Sequence, residues 1–344
     1  MCDFPQNWIV FRLSALGDVI LTTGVLNHWH AAHGWRFRVL TKEPFAPVFA
    51  NNPVVDAVIA ARDADLRMPR MRAWFSELAR EYAGWGLVDL HGTLRSRLLS
   101  FLWKGPVLRY EKRAFARRMF LCSKGALCRA TLNAETVPQR YALAVDATPP
   151  MASELVPAVY LSESERDFAK SFLAKRFGDD VLKKPCSGAG IVAVHPYAAH
   201  AHKAWPKEHY KAFLAALEKR GVPCIILGRG EGFFPGDARD LTNGTSLRES
   251  AALLAECSVL VSGDSGPMHL ASAVNTPVVA LFGPTTREWG FYPVGPRDVV
   301  LERGMACRPC SLHGKKPCPH NGDCLALIRP EEVMAAVEPF FIRQ

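Results

Sequence analysis

Residues 259–284 read V-L-V-S-G-D-S-G-P-M-H-L-A-S-A-V-N-T-P-V-V-A-L-F-G-P, and no other stretch limits the fold so tightly. Residues 259–261 are a short apolar run that suits a strand buried on both faces. Gly263 and Gly266 permit a sharp turn, and Pro267 suits the first turn of a helix, where its missing N–H costs nothing. Met268, Leu270, Ala271 and Val274 give that helix an apolar side. Residues 278–282 form the next buried strand, stopped by Gly283-Pro284. The unit is strand, loop, helix, parallel strand. Open parallel sheets take ligands at the C-terminal ends of their strands, where Asp264, Ser265 and His269 fall. An isolated D-S-G-P is explained equally well by a helix cap or by an anion-binding helix N-terminus.

The same alternation runs through the whole chain. Strands are expected at 8–13, 36–40, 54–59, 87–90, 191–195 and 223–227, with helices at 19–34, 69–82, 93–103, 164–177, 207–220, 247–257 and 330–341. Such a pattern predicts α/β architecture with parallel sheets. The chain has 344 residues, enough for two domains. The two prolines at 149–150, in a short polar patch, mark the linker. The expected domains are 1–155 and 156–328, with 329–344 as a terminal helical segment.

The formal net charge is +9, which fits nucleic acid, an anionic membrane surface or a phosphorylated substrate without choosing among them. The N-terminus shows no basic segment followed by a long apolar one, and no apolar run nears the roughly 18 residues of a membrane span. A cytosolic, soluble protein is expected, with its ten cysteines as thiols or metal ligands.

Three further clusters carry chemistry. R-L-S-A-L-G-D at 12–18 occupies the first βα loop, yet matches neither common nucleotide-loop pattern. Asp18 there is a helix cap or a carboxylate offered to a substrate hydroxyl. H-P-Y-A-A-H-A-H-K-A-W-P at 195–206 places Lys203 in a loop, within reach of a phosphate. Cys307, Cys310, Cys318 and Cys324 have the spacing C-x2-C-x7-C-x5-C, that of a structural zinc knuckle, a rarer iron–sulfur site or four plain thiols. The run Lys112, Arg113, Arg117, Arg118 and Lys124, interleaved with Phe115, Met119, Phe120 and Leu121, is an amphipathic helix with a solvated face or a site for an anionic acceptor or lipid surface.

Together, R-L-S-A-L-G-D-V-I-L-T-T at 12–23, D-L-H-G-T-L-R-S at 89–96, K-A-W-P at 203–206, S-G-D-S-G-P-M-H-L-A at 262–271 and F-G-P-T at 282–285 resemble the ADP-heptose:lipopolysaccharide heptosyltransferases, glycosyltransferase family 9. The resemblance covers nearly the whole chain. It implies the GT-B architecture, two Rossmann-like domains facing a central cleft, with the final helix packed back toward the N-terminal domain. It also implies an inverting, metal-independent transfer of heptose from ADP-heptose to a lipopolysaccharide core sugar. By position Asp18 is then the catalytic base. Arg12, Ser14, Gly17 and Arg95 face the acceptor. Lys203, Asp264, Ser265, Gly266, His269 and, by a weaker alignment, Glu231 hold the donor. No cofactor is expected for catalysis, and the cysteine loop at 303–324 is expected to hold a structural zinc. The expected location is cytoplasmic, peripheral at the inner face of the inner membrane, with no nucleic-acid partner. Relatives carry hydroxyl residues before K-x-W-P, where this chain has Ala198 and Ala199, so Tyr197, His200 or His202 would have to serve there. Two rivals stay open: a related transferase using another nucleotide sugar, and a nucleic-acid-binding protein with a zinc knuckle.

Overall fold

The structure is a computed structural model and describes residues 4–179, 190–232, 234–310, 318, 320 and 323–341. Cys2, Cys186 and residues 311–317, 319, 321 and 322 of the cysteine loop lie outside the described residues. The chain divides into two compact units, 1–113 with 135–160 and 114–134 with 161–344.

In the first unit, β1 (Asn7–Phe11), β2 (Arg36–Lys42), β3 (Val55–Ala61), β4 (Gly86–Asp89) and β5 (Val107–Arg109) form one parallel sheet in the order β3-β2-β1-β4-β5. Helix α1 (Leu16–His33) follows β1 and has no distinct polar face, because both of its sides are covered. Val19, Ile20, Val25, Leu26 and Trp29 are buried, and Thr23 accepts a hydrogen bond from the Ala158 N–H at 2.9 Å. Helix α2 (Arg70–Glu81) shows the expected one-sided pattern, burying Met71, Phe75 and Leu78. Helix α3 (Leu94–Leu102) is capped by Thr93.

Residues 114–134, expected in the N-terminal domain, cluster with the second unit. They form α4 (Ala114–Cys122) and α5 (Arg129–Asn133). Phe120 and Leu132 pack there with Trp289, and the Phe120 and Trp289 rings meet edge to face at 5.6 Å. Helix α6 (Val137–Ala142) returns to the first unit, against α1.

The second unit continues with α7 (Glu163–Phe177), β6 (Val192–His195), α8 (Lys207–Lys219), β7 (Cys224–Ile226), α9 (Leu247–Ala255), β8 (Val259–Gly263), α10 (Gly266–Ala273), β9 (Val278–Phe282), β10 (Val299–Glu302), α11 (Asp323–Ala326) and α12 (Pro330–Val337). Its parallel sheet has the order β10-β9-β8-β6-β7. The strand–loop–helix–strand unit is present, with β8 and β9 paired in register from Leu260–Val278 to Gly263–Leu281. The C-terminal helix, expected on the N-terminal domain, has its buried side chains Val333, Met334 and Val337 in the core of the second unit with Trp205, Tyr210 and Leu214. Among the described residues no helix is long and apolar enough to cross a membrane.

The two orders share one property. In each sheet the chain leaves its first strand in one direction and later returns to the other side of it. The sheet therefore has a switch point beside its first strand, between β1 and β4 in one unit and between β6 and β8 in the other.

Gly24 tests how closely α1 is held. A Cβ there would lie 2.3 Å from the Leu155 carbonyl oxygen and 2.6 Å from that of Val156. Gly24→Ala should cost about 1–3 kcal/mol of unfolding free energy through overpacking against backbone. A wild-type urea midpoint would mean that the 152–156 segment yields freely.

Candidate functional site

Each unit carries a polar cluster at its switch point. In the first, Arg12 follows β1 and Asp18 is the third residue of α1. An Asp at this position accepts from the N–H that precedes the helix, and Asp18 Oδ2 does so from Ala15 at 3.2 Å. The cap alternative is therefore half of the truth. The other oxygen, Oδ1, accepts from Arg12 Nη2 at 2.6 Å and from the Tyr141 hydroxyl at 2.6 Å. Arg12 is buried, donates also to the Leu90 carbonyl, and lies over the Tyr141 ring at 5.2 Å. The Tyr110 ring stands edge-on to Tyr141 at 4.9 Å.

Burial works to raise the pKa of Asp18. The Arg12 charge and the hydrogen bonds from Tyr141, Ala15 and Arg12 outweigh it and hold the carboxyl below its ordinary value. Arg12 is held above its own ordinary value, because Asp18 overcomes the opposing effect of burial. His91, after β4, is lowered to about 3 by burial and then by the charges of Arg12 and Lys112, so it is neutral near pH 7. The turn at His91-Gly92 is fixed by Asp89, whose Oδ1 accepts from both N–H groups at 2.9 and 2.8 Å.

Arg12 and Asp18 are thus brought together, with half-buried Ser14 in the loop and half-buried Gly17 at the start of α1 between them. The Arg12 guanidinium, expected at the acceptor, is turned onto Asp18. Arg95 is exposed on the first turn of α3 and near enough to lower the pKa of His91. Tyr141 lies 123 residues from Asp18 and belongs to no motif. Its helix α6 was not expected, although Thr136, Pro138 and Gln139 make a capped start that could have marked it.

In the second unit Lys203 Nζ forms an ion pair with Asp264 Oδ2, and the Thr285 hydroxyl donates to the same oxygen at 2.7 Å. Ser265 is the N-cap of α10 yet makes no side-chain cap bond. Its Oγ lies 3.3 Å from His195 Nδ1 and 3.1 Å from Ser262 Oγ. The first N–H groups of α10, beginning at Gly266, are thereby left without a side-chain cap. His195 is buried, and burial lowers its pKa to about 4, so it is neutral near pH 7.

His269 is buried on α10 with its ring 6.2 Å from Phe291. Tyr197 lies over the loop after β7, where a Cβ on Gly228 would meet its ring at 2.3 Å. Its hydroxyl pairs with that of Thr242. Glu231 is exposed on that same loop, one strand removed from the switch point. His195, Ser262 and Thr285 are site residues that the motifs contained without marking. A hydroxyl or imidazole in a motif does not reveal its partner until β6, β8 and β9 lie side by side.

Cys307, Cys310, Cys318 and Cys324 are close enough to act on one another. The pKa of Cys310 is raised by burial and then by Cys307 and Cys318, and Cys324 is raised to about 11 by burial, with its three neighbours adding to it. Among the described residues, no three His, Cys, Asp or Glu side chains form a group that would hold a metal.

Two parallel-sheet Rossmann-like domains, each with its charged cluster at the switch point, define a GT-B class protein. The profile of "Glycosyltransferase family 9 (heptosyltransferase)" matches residues 78–319, and the chain belongs to that family. The lipooligosaccharide heptosyltransferase 2 of Haemophilus influenzae is 35% identical over 100 residues, which is 25% of this chain and 29% of that relative. The aligned stretch thus spans less than a third of the curated relative. A glycosyltransferase family 9 structure from Veillonella parvula superposes with a TM-score of 0.72 at 19% identity, covering 98% of this chain and 97% of the other. The E. coli ADP-heptose lps heptosyltransferase II structure gives 0.69 at 19% identity, covering 97% and 98%. At this identity these two likenesses speak for the fold.

The Arg12–Asp18 pair yields a signed prediction. The folded pKa of Asp18 lies below its unfolded value. Its stabilisation is therefore complete above the ordinary carboxylate range and is lost as pH falls through the lowered value. Arg12→Met leaves the carboxylate buried without its cation and should cost on the order of 3 kcal/mol near neutral pH. Its loss of stability on acidification should also be smaller than in the wild type, since without Arg12 burial raises the folded pKa of Asp18 toward its unfolded value. Urea titrations across the acid range measure both. A variant as stable as the wild type, with the same acid limb, would remove this ion pair from the account.

Proposed function

We propose that the protein transfers heptose from ADP-heptose to a sugar of a lipopolysaccharide core, with inversion and without a catalytic metal. The observation that carries this reading is Asp18, a carboxylate held ionised beside the switch point in a chain of the heptosyltransferase family. Oδ1 is occupied by Arg12 and Tyr141, while Oδ2 meets one long hydrogen bond from Ala15, so Oδ2 is the oxygen left for an acceptor hydroxyl.

In the proposed step the acceptor oxygen attacks the anomeric carbon from the face opposite ADP and gives its proton to Asp18. The bond from that carbon to the β-phosphate oxygen breaks, and ADP leaves with the electron pair. One displacement inverts the centre. A carboxylate of lowered pKa is a weak base toward a resting hydroxyl. It accepts the proton as bond formation makes that hydroxyl acidic. Lys203 and the open N–H groups of α10 are proposed to take up the charge growing on the β-phosphate, with Asp264, Ser265 and Gly266 lining the same loop. Glu231 and His269 remain proposed donor contacts, and Ser14, Gly17 and Arg95 proposed acceptor contacts. The proposed location is the cytoplasm, against the inner face of the inner membrane.

The runner-up is a transfer from another nucleotide sugar, since Lys203 and the α10 terminus would serve any nucleoside diphosphate. Incubation with ADP-heptose and a panel of truncated lipopolysaccharide cores, read by product mass and anomeric configuration, tests the choice. A product formed only from a different nucleotide sugar moves the assignment to the runner-up. Asp18→Asn should lower turnover by about 10²-fold or more while ADP binding persists. Turnover near wild type would take Asp18 out of the mechanism.

The cysteine loop is proposed to be structural, with a zinc drawing the four sulfurs together by side-chain rotation. The spacing C-x2-C-x7-C-x5-C supports this. Protein purified without added metal should carry about one equivalent, and a chelator should lower its melting temperature. Less than about a tenth of an equivalent of zinc or iron would leave them plain thiols.

A further inference from the structure

Residues 112–134 hold six basic side chains and no acidic one. Among the charges matched within the fold are Arg113, with Glu135 at 2.8 Å, and Arg129, with Glu288 at 3.8 Å. Arg118 and Lys124 are exposed and have no ion-pair partner among the described residues. The segment is fastened from one side, where Ala116 and Phe120 of α4 and Leu132 of α5 pack with Trp289. The opposite side of α4 presents Phe115, Arg118 and Cys122 at helical spacing, all exposed. Phe115 is 75% exposed, and Leu127, in the turn that follows, is 50% exposed.

A merely solvated face does not account for this. Solvated faces mix charge signs and place polar groups outward, whereas here an aromatic and an aliphatic side chain stand among unpaired cations. A soluble phosphate would use the cations and leave Phe115 and Leu127 without a role. Nucleic acid would stack on Phe115 and leave Leu127 in water. An interface that is anionic at the surface and apolar just beneath it uses all four groups.

We propose that the outward face of α4 and the turn after it, built from Phe115, Arg118, Lys124 and Leu127, docks on an anionic lipid bilayer. The proposal deepens the heptosyl-transfer reading and rests on it for its purpose, since a lipopolysaccharide core is carried on a lipid. With one short helix and few free charges, the contact should be weak and reversible.

The test uses the full-length protein and vesicles of phosphatidylcholine with or without about 30% phosphatidylglycerol, a share that gives an anionic surface. Sedimentation should show a preference for the anionic vesicles on the order of 10-fold or more, weakened by salt. The double variants Phe115→Ser with Leu127→Ser and Arg118→Glu with Lys124→Glu should each abolish most of that binding at an unchanged melting temperature. Their turnover on a deacylated, water-soluble acceptor should match wild type, while turnover on an acceptor embedded in vesicles falls. Equal wild-type binding to both vesicle types, variants that bind like wild type, or binding to random DNA in place of vesicles would each overturn the proposal. The vesicle arm needs no substrate. A protein that binds as described but transfers no heptose to any soluble core refutes the transfer reading and upholds the surface.

Discussion

Parallel strands cannot be joined by tight turns, and most of this molecule follows from that restriction. Each strand must be followed by a crossover that returns the chain to the other end of the sheet. All strand C-termini of a sheet then open along one edge, and the loops there are the ones free to carry polar groups. In the first unit that edge collects Arg12, Asp18 and His91; in the second it collects His195, Asp264 and Ser265. Neither cluster is local in sequence. Both are local in the sheet, at the place where neighbouring loops part in opposite directions and leave room between them.

The two clusters manage charge differently. Around Asp18 a buried cation, a phenol and a backbone N–H converge on one carboxyl group, and their sum exceeds the effect of burial. In the second unit the neutral His195 draws Ser265 away from the helix that it begins. A serine in that place ordinarily satisfies one of the open N–H groups itself. Diverting its hydroxyl leaves the helix end with its partial positive charge uncovered.

Periodicity made most of the strands and long helices legible, because burial on one or both faces writes itself into the spacing of Val, Ile, Leu and Phe. It missed β5 and β10, of three and four residues and half-buried at the sheet edges, where no sustained pattern fits. It also missed α6, whose six residues are too few for a helical repeat. Motifs brought Asp18, Lys203 and Asp264 to the segments that follow strands, although Asp18 falls in the first turn of α1 and Lys203 in a short 3-10 turn. They could not supply Tyr141, whose role depends on α6 lying against α1, or the pairing of Lys203 with Asp264. The assignment of 114–134 to the second unit was illegible for a similar reason. It turns on Phe120 finding Trp289, a partner 169 positions away that no spacing rule connects to it.

That Lys203 rests on Asp264 has a consequence for selectivity. The ammonium group is not an open electrode waiting in solvent; its charge is already cancelled by a carboxylate that Thr285 steadies. Any anion that recruits it must offer more than the carboxylate it displaces. A chloride or a lone carboxylate brings one negative charge and gains nothing by the exchange. A diphosphate brings several on adjacent groups and can engage the ammonium and the helix end at once. In the donor-binding role proposed for Lys203, this pairing would set a threshold, favouring a ligand of high charge density over the monovalent anions that crowd a cell.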